Sequence, residues 1–211
     1  VVLARALPPE DFGLVAMVTV VVSLGELLRD FGLSTSGLRA RNLSHAQGSN
    51  LFWINTALGA TAAAAVAAAS PLLAAFYHES RLTAITPVIA LTLLFNGAQA
   101  QLQVQMARSG KFAALVFTDL GAQITGVVGA LCGIWAGWGY WALVAQPVIA
   151  AVTLLLTRWY FSRWRPMRPT RGSDSKRLVV SGADFGISQM LTFAASNTDT
   201  IMIGALWGAT A

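Results

Sequence analysis

The chain alternates between long apolar stretches and short connectors, and this pattern constrains its fold more than any other feature. The apolar stretches lie at about 11–33, 50–77, 82–106, 112–135, 140–157 and 178–204. Each stretch is near or above the roughly 20 residues that a helix needs to cross a bilayer. The sequence therefore predicts an all-α polytopic membrane protein with about six transmembrane helices.

Every second connector carries nearly all of the Lys and Arg residues. The connectors 39–49, 107–111 and 158–177 hold Arg39, Arg41, Arg108, Lys111, Arg158, Arg163, Arg165, Arg168, Arg171, Lys176 and Arg177. The intervening connectors hold only Arg5 and Arg81. Cations are retained on the cytoplasmic side during membrane insertion, so we expect the three basic connectors to be cytoplasmic.

The composition excludes several other classes of protein. Charged residues make up 11% of the chain, about half of their share in a soluble domain. The net charge of +5 is a connector bias and not a basic stripe, which argues against a nucleic-acid partner. Cys132 stands alone in an apolar stretch and supplies no disulfide framework. The chain opens at Val1 and stops at Ala211 after an apolar run, so we expect an internal fragment of a longer protein.

No enzyme signature is evident in the sequence. His45 and His78 fall in connectors that are predicted to lie on opposite sides of the membrane, so they cannot share a metal. Cys132 has no neighbouring His, and nucleophile-elbow and phosphate-loop motifs are missing. The sequence therefore predicts no catalytic residues, no metal and no cofactor, and it directs attention to polar residues at membrane depth.

Two segments have sequences that are more specific than the hydropathy pattern. The first is LARALPPEDFGL at 3–14, followed by an apolar span that ends RDFGL at 29–33. The second is NTDTIMIGALWG at 197–208. These segments resemble the Wzx-type polysaccharide flippases, the PST branch of the MOP transporter superfamily, with colanic-acid-type members nearest.

The resemblance implies a transporter of two pseudo-equivalent helical bundles in the bacterial inner membrane. Residues 1–162 would be the N-terminal bundle without its first helix, 163–177 a basic cytoplasmic linker, and 178–211 the first helix of the second bundle. The implied cargo is an isoprenoid-pyrophosphate-linked oligosaccharide, moved by alternating access around a cationic, water-filled cleft. Membrane lipids are expected partners, and polysaccharide polymerase machinery is a further candidate.

The most distinct group of charged residues within an apolar stretch is Glu26, Arg29 and Asp30. A charge in hydrocarbon costs at least about 2.5–3.5 kcal/mol, so such residues usually face water or a partner. Arg29 is a candidate substrate-binding residue, because a forked guanidinium suits pyrophosphate oxygens. Glu26 and Asp30 are candidate ion-coupling residues. Alternatively, the group lies near the cytoplasmic end, where Arg29 pairs with Glu26 and reaches the headgroups.

Two further carboxylates and one amide face are the remaining candidates. Asp119 and Asp184 are candidate ion-coupling residues; the alternative for Asp119 is a helix-to-helix contact or an ion pair with Lys111 or Arg108. Asn96, Gln99 and Gln103 follow i, i+3, i+7 spacing on one helix face. They are candidates for contacts to sugar hydroxyls, because amides both donate and accept. The alternative for this face is a polar seam between helices.

Two other functions remain open at this point. One is a different exporter of the same superfamily, for drugs or for a peptidoglycan precursor. The other is a membrane-embedded enzyme of glycan or lipid synthesis, or a scaffold subunit. A drug exporter would show an acidic, aromatic cavity, whereas an enzyme would need clustered His, Asp or metal ligands.

Overall fold

The computed structural model describes residues 9–30, 38 and 43–169, apart from the side chains of 9–11, 24 and 27–30. Within these residues the chain forms helices and no strand. The helices are α1 (Pro9–Asp30), α2 (His45–Ala68), α3 (Ser70–Tyr77), α4 (Leu82–Arg108), α5 (Phe112–Trp135) and α6 (Trp141–Ser162).

Four helices of the described part, α2, α4, α5 and α6, are long and apolar enough to cross a membrane. Helix α1 contributes a shorter apolar segment, Phe12–Ser23. The prediction of an all-α polytopic membrane protein is therefore confirmed. The predicted span at 178–204 lies outside the described residues.

Contacts between connectors show that the basic connectors and the weakly charged connectors lie at opposite ends of the bundle. The Lys111 ammonium, between α4 and α5, donates to the carbonyl oxygen of Phe161 at the end of α6, at 3.0 Å. At the other end of the molecule, the Arg81 guanidinium lies 5.9 Å from the centroid of the Tyr140 ring. The described parts of the basic connectors 107–111 and 158–177 therefore meet at one end, and the weakly charged connectors meet at the other.

Helices α2, α4 and α6 each extend beyond one end of their predicted apolar stretches, so several predicted connector boundaries are wrong. Helix α2 begins at His45, because Ser44 and Gln47 form a reciprocal cap: the Gln47 N–H donates to Ser44 Oγ at 3.2 Å, and the Ser44 N–H donates to Gln47 Oε1 at 3.0 Å. Helix α4 likewise includes Arg108. Helix α6 continues to Ser162, which places Arg158 inside a helix and not in a connector.

Helix α4 lies at the centre of the bundle and packs against α1, α2 and α6. It approaches the backbone of α2 closely at Gly97 and Gly59. A Cβ atom on Gly97 would lie 2.5 Å from the backbone oxygen of Asn55, and one on Gly59 would lie 2.5 Å from that of Leu93. Small residues allow this kind of close backbone contact between membrane helices.

Helices α5 and α6 form a second close pair. A Cβ atom on Gly126 would lie 2.9 Å from the backbone oxygen of Gln146. Helix α6 in turn packs against α4, so the α5–α6 pair is attached to the α2–α4 pair. This arrangement brings the polar residues of α1, α4, α5 and α6 to a common region.

Candidate functional site

Arg158 on α6 is the centre of a polar cluster that joins three helices. Its Nη2 donates to Asp119 Oδ1 on α5 at 2.6 Å. Its Nη1 donates to Gln103 Oε1 on α4 at 3.1 Å and also to Gln99 Oε1. We call Gln99, Gln103, Asp119 and Arg158 the Arg158 cluster.

The two charges of this cluster differ strongly in exposure. The Arg158 side chain is 3% exposed, whereas the Asp119 side chain is 53% exposed. A buried cation requires a counter-charge and hydrogen-bond acceptors, which Asp119 and the two amides supply. The Nε atom of Arg158 is buried and has no hydrogen-bond partner among the described residues. The cluster therefore stabilises a charge that apolar surroundings alone would not tolerate.

A second polar contact joins α1 to α4. The side-chain amide of Asn96 donates to Glu26 Oε1. Asn96 lies one helical turn before Gln99, so α4 presents consecutive amides to a carboxylate on α1 and to Arg158 on α6. Both contacts link helices that are far apart in the sequence.

A cavity of about 470 Å³ lies between α1, α4, α5 and α6. Its charged and amide lining residues are Glu26, Asn96, Asp119, Gln123 and Gln146. Its lining also includes the hydroxyl-bearing residues Thr19, Ser23 and Thr92. Amide and hydroxyl groups can donate to and accept from the hydroxyls of a sugar.

The described lining of this cavity is acidic. Among the described lining residues, the charged side chains are the carboxylates of Glu26 and Asp119. Arg158 contacts Asp119 but does not line the cavity. The physical reason is that α6 carries Arg158 toward α4 and α5, where its guanidinium is enclosed by its three partners. The expected cationic lining depends on Arg29, whose side chain is not described, so it stays a prediction.

The structure brings together most of the described candidate residues. Asn96, Gln99 and Gln103 lie along one face of α4, as their spacing predicts, and each bonds to a side chain of another helix. Asn96 also lines the cavity, whereas Gln99 and Gln103 do not. The face is thus a polar seam in this structure, and its contact with cargo remains a prediction.

Asp119 pairs with a residue that the sequence did not single out. It contacts Arg158 and not Lys111 or Arg108, the two cations named in one alternative for Asp119. Those two cations reach carbonyl oxygens instead: Lys111 that of Phe161 and Arg108 that of Leu38.

The structure describes no side chain for three candidates. The side chains of Arg29 and Asp30 are not described, and Asp184 belongs to the undescribed part of the chain. The expected pair between Arg29 and Glu26 is likewise untested. Their proposed roles stay predictions.

Sequence reasoning missed Arg158 and Gln146. The charge pattern places Arg158 in the connector 158–177, whereas the predicted bundle 1–162 includes it. A usable signal follows it directly: Trp159, Tyr160 and Phe161 form an aromatic run typical of a helix end at the membrane interface, which places Arg158 inside the helix. Gln146 could have been found as an isolated amide within an apolar stretch.

Comparison with known proteins identifies similar sequences along the whole chain. A family model described as "polysaccharide biosynthesis protein" matches residues 2–211. The chain is 23% identical over 215 residues to the lipopolysaccharide biosynthesis protein WzxC of Escherichia coli (strain K12), covering 99% of this chain and 43% of the relative. It is 23% identical over 210 residues to the succinoglycan biosynthesis transport protein ExoT of Rhizobium meliloti (strain 1021), covering 98% and 42%.

A third relative is an uncharacterized membrane protein in the cps region of Klebsiella pneumoniae. The identity is 22% over 219 residues, covering 99% of this chain and 44% of the relative. The chain thus spans less than half the length of each of these curated relatives. No solved structure matches the chain.

Proposed function

Because this chain belongs to the polysaccharide biosynthesis protein family, we propose that it is part of a transporter for polysaccharide precursors. The specific proposal is a flippase that moves an isoprenoid-pyrophosphate-linked oligosaccharide across the bacterial inner membrane. No covalent bond is made or broken in this activity. The name of ExoT, a succinoglycan biosynthesis transport protein, supports a transport role, and the name of WzxC, a lipopolysaccharide biosynthesis protein, supports a role in polysaccharide synthesis.

One observation of the structure carries the proposal: a cavity lined in part by polar side chains lies between α1 and three helices, α4, α5 and α6, that are long and apolar enough to span a membrane. Polar groups at membrane depth are expensive, and they typically mark the path of a polar substrate or ion. The lining offers amide and hydroxyl groups, which match the hydroxyls of an oligosaccharide. An isoprenoid chain would remain in the surrounding lipid while the sugar crosses.

The proposed residue roles follow from position. Asn96, together with Gln123 and Gln146, would contact sugar hydroxyls in the cavity. Gln99 and Gln103 would act through Arg158, which they orient. The roles that the sequence suggests for the remaining candidates are retained as proposals: pyrophosphate contact for Arg29, and ion coupling for Glu26, Asp30, Asp119 and Asp184.

The mechanism we propose is alternating access between two bundles. The contacts of α4 with α1, α2 and α6 favour movement of the described helices as one unit. The second bundle would begin with the 178–211 segment and continue in the remainder of the protein. Rocking of such bundles around a fixed central site is a common transport mechanism.

The proposed orientation places the basic end of the bundle in the cytoplasm. The observation behind it is that Lys111 and the chain beyond Phe161 share one end of the molecule, opposite Arg81 and Tyr140. Retention of cations on the cytoplasmic side then sets the direction. Membrane lipids and polysaccharide polymerase machinery are the proposed partners.

A second candidate function is favoured by the charge of the cavity. Carboxylates of Glu26 and Asp119 line it, as expected for an exporter of cationic drugs. Two features weigh against this candidate. The described lining contains no aromatic residue, and Asp119 is already paired with Arg158. We therefore retain polysaccharide precursor export as the primary proposal.

The test is deletion of the parent gene, followed by measurement of lipid-linked glycan on each leaflet. Export predicts that glycan accumulates on the cytoplasmic leaflet and that the full-length protein restores its transfer. Asn96→Ala should reduce transfer roughly five- to tenfold, the effect of losing one or two hydrogen bonds. Cys132→Ser, on an exposed helix face, is the matched control. An unchanged leaflet distribution after deletion would refute the proposal.

A further inference from the structure

The segment that follows α6 lies across the beginning of α2. Arg163 ends α6 with a left-handed backbone conformation, φ 53°, which turns the chain away from the helix axis. The following residues are non-helical. We call residues 163–169 the strap.

Both polar backbone groups of Met167 in the strap bond to side chains of α2. The Met167 N–H donates to Ser49 Oγ at 3.0 Å, and the Met167 carbonyl accepts from Trp53 Nε1 at 2.9 Å. The Ser49 hydroxyl donates its own proton to the carbonyl of His45 at 2.8 Å, so its oxygen is free to accept. Ser49 is fully buried. Two hydrogen bonds therefore hold the strap backbone against α2.

Aromatic contacts hold the N-terminal part of the strap. The Trp164 ring lies 5.4 Å from the His45 ring and 6.2 Å from the Phe52 ring, centroid to centroid. The guanidinium of Arg165 lies 4.8 Å from the centroid of the Trp159 ring, and its Nη1 donates to the Trp159 carbonyl at 2.7 Å. The strap is thus fixed both to α2 and to the last turn of α6.

The sequence of the strap suits this mode of binding. Pro166 and Pro169 enclose Met167 in a Pro-x-x-Pro arrangement. Proline fixes φ and restricts the residue before it, so such a segment loses little conformational entropy on docking. Recognition of Pro-x-x-Pro segments by aromatic surfaces uses the same advantage between separate proteins. Here the aromatic surface belongs to the same chain.

We propose that the strap stays docked on α2 throughout transport, so that the linker moves with the first bundle as far as Met167. Any bending between bundles then begins beyond Met167. This inference rests on the proposed alternating-access function. It follows from the density of contacts, because release would leave the buried Ser49 oxygen and the Trp53 N–H without their strap partners.

The experiment cross-links the strap to α2 in the full-length protein, which also carries Cys132→Ser. His45→Cys and Trp164→Cys are joined by a short, reducible thiol cross-linker, which replaces the ring contacts of Trp164 and leaves the Ser49, Trp53 and Met167 contacts in place. The expected result is near-complete cross-linking in membranes, both with cargo supplied and with cargo depleted. Transfer of lipid-linked glycan should be the same before and after cross-linking. A Tyr77→Cys and Trp164→Cys pair, at opposite ends of the bundle, should not cross-link.

Two outcomes would overturn the proposal. One is a cross-linking yield that falls when cargo is supplied or depleted, which would mean that the strap detaches. The other is loss of glycan transfer on cross-linking with recovery on reduction. If instead the protein without cysteine substitutions transfers no glycan, the proposed function fails, and the cross-linking yield still decides whether the strap remains docked.

Discussion

The Arg158 guanidinium lies 2.6 Å from the Asp119 carboxylate, across 39 positions of sequence and between two different helices. The cation is buried and the anion is half exposed toward the cavity. Asp119 therefore separates Arg158 from the space that the cargo would occupy. The pair also fixes α6 against α5, while Gln99 and Gln103 extend the contact to α4.

Removal of the Asp119 charge should destabilise the protein more than removal of the Arg158 charge. Asp119→Asn leaves a buried guanidinium without a counter-charge, and we expect a loss of about 2–3 kcal/mol, reduced from the full buried-pair value by the exposure of Asp119. Arg158→Gln should cost less, because the remaining carboxylate can be hydrated. Thermal unfolding of the purified full-length protein in detergent measures both, with Cys132→Ser as the control. Equal losses would show that the two charges share the same environment.

The close contact between α2 and α4 predicts that alanine substitution at two glycines changes the stability of the protein by different amounts. Gly97→Ala places a Cβ 2.5 Å from the Asn55 backbone oxygen, so the helices must separate, at a cost of about 1–3 kcal/mol. Gly121→Ala meets no atom within 4 Å, so it should be neutral or slightly stabilising. Thermal unfolding in detergent compares the two. A tolerant Gly97→Ala variant would argue against the α2–α4 contact.

Much of the fold could be predicted because hydropathy and charge act over whole segments. A stretch such as 112–135 can satisfy its backbone in lipid only as a helix, and the structure has α5 at these bounds. Helix ends were harder. Ser44 and Gln47 extend α2 into a stretch that looks polar, and Arg158 interrupts an apolar pattern without ending the helix. The average composition of a segment does not reveal an individual capping residue or an individual buried charged residue.

The site was only partly predictable for a different reason. The i, i+3, i+7 spacing of Asn96, Gln99 and Gln103 follows from helix geometry, so their shared face could be deduced. Their partners could not, because Glu26 and Arg158 approach from α1 and α6. Pairing between distant helices depends on packing, which a single sequence does not specify. The same limit explains why Lys111 and Arg108, the nearest cations in the sequence, were named as candidate ion-pair partners of Asp119.

The contact between Asn96 and Glu26 predicts a compensating pair of substitutions. Asn96→Asp would place two carboxylates together at membrane depth, and their repulsion should lower both stability and membrane abundance. Adding Glu26→Gln restores a donor and an acceptor between the same positions and should recover most of the loss. Abundance in membranes and thermal unfolding report the effect. If the double variant is no better than Asn96→Asp, the two side chains do not act as a pair.

The topology predicts that residues 109 and 136 lie on opposite sides of the membrane. Ser109→Cys and Ala136→Cys are both exposed positions, in the connectors at the two ends of α5. In a Cys132→Ser background, a membrane-impermeant maleimide should label residue 136 from outside and residue 109 only in inverted vesicles. Labelling of both positions from the same side would contradict the transmembrane assignment of α5.

The strap predicts a specific change in proteolysis. Trp53→Phe keeps an aromatic ring on α2 but removes the N–H that reaches the Met167 carbonyl at 2.9 Å, a loss of about 1 kcal/mol. Arg163 is followed by Trp164, whereas Arg165 and Arg168 are each followed by proline and so resist trypsin. Cleavage after Arg163 in inverted vesicles should therefore rise about fivefold, in proportion to the population of the undocked strap. Trp138→Phe, at the other end of the bundle, should leave the cleavage rate unchanged. An equal rate in Trp53→Phe and the unsubstituted protein would show that the indole N–H does not hold the strap.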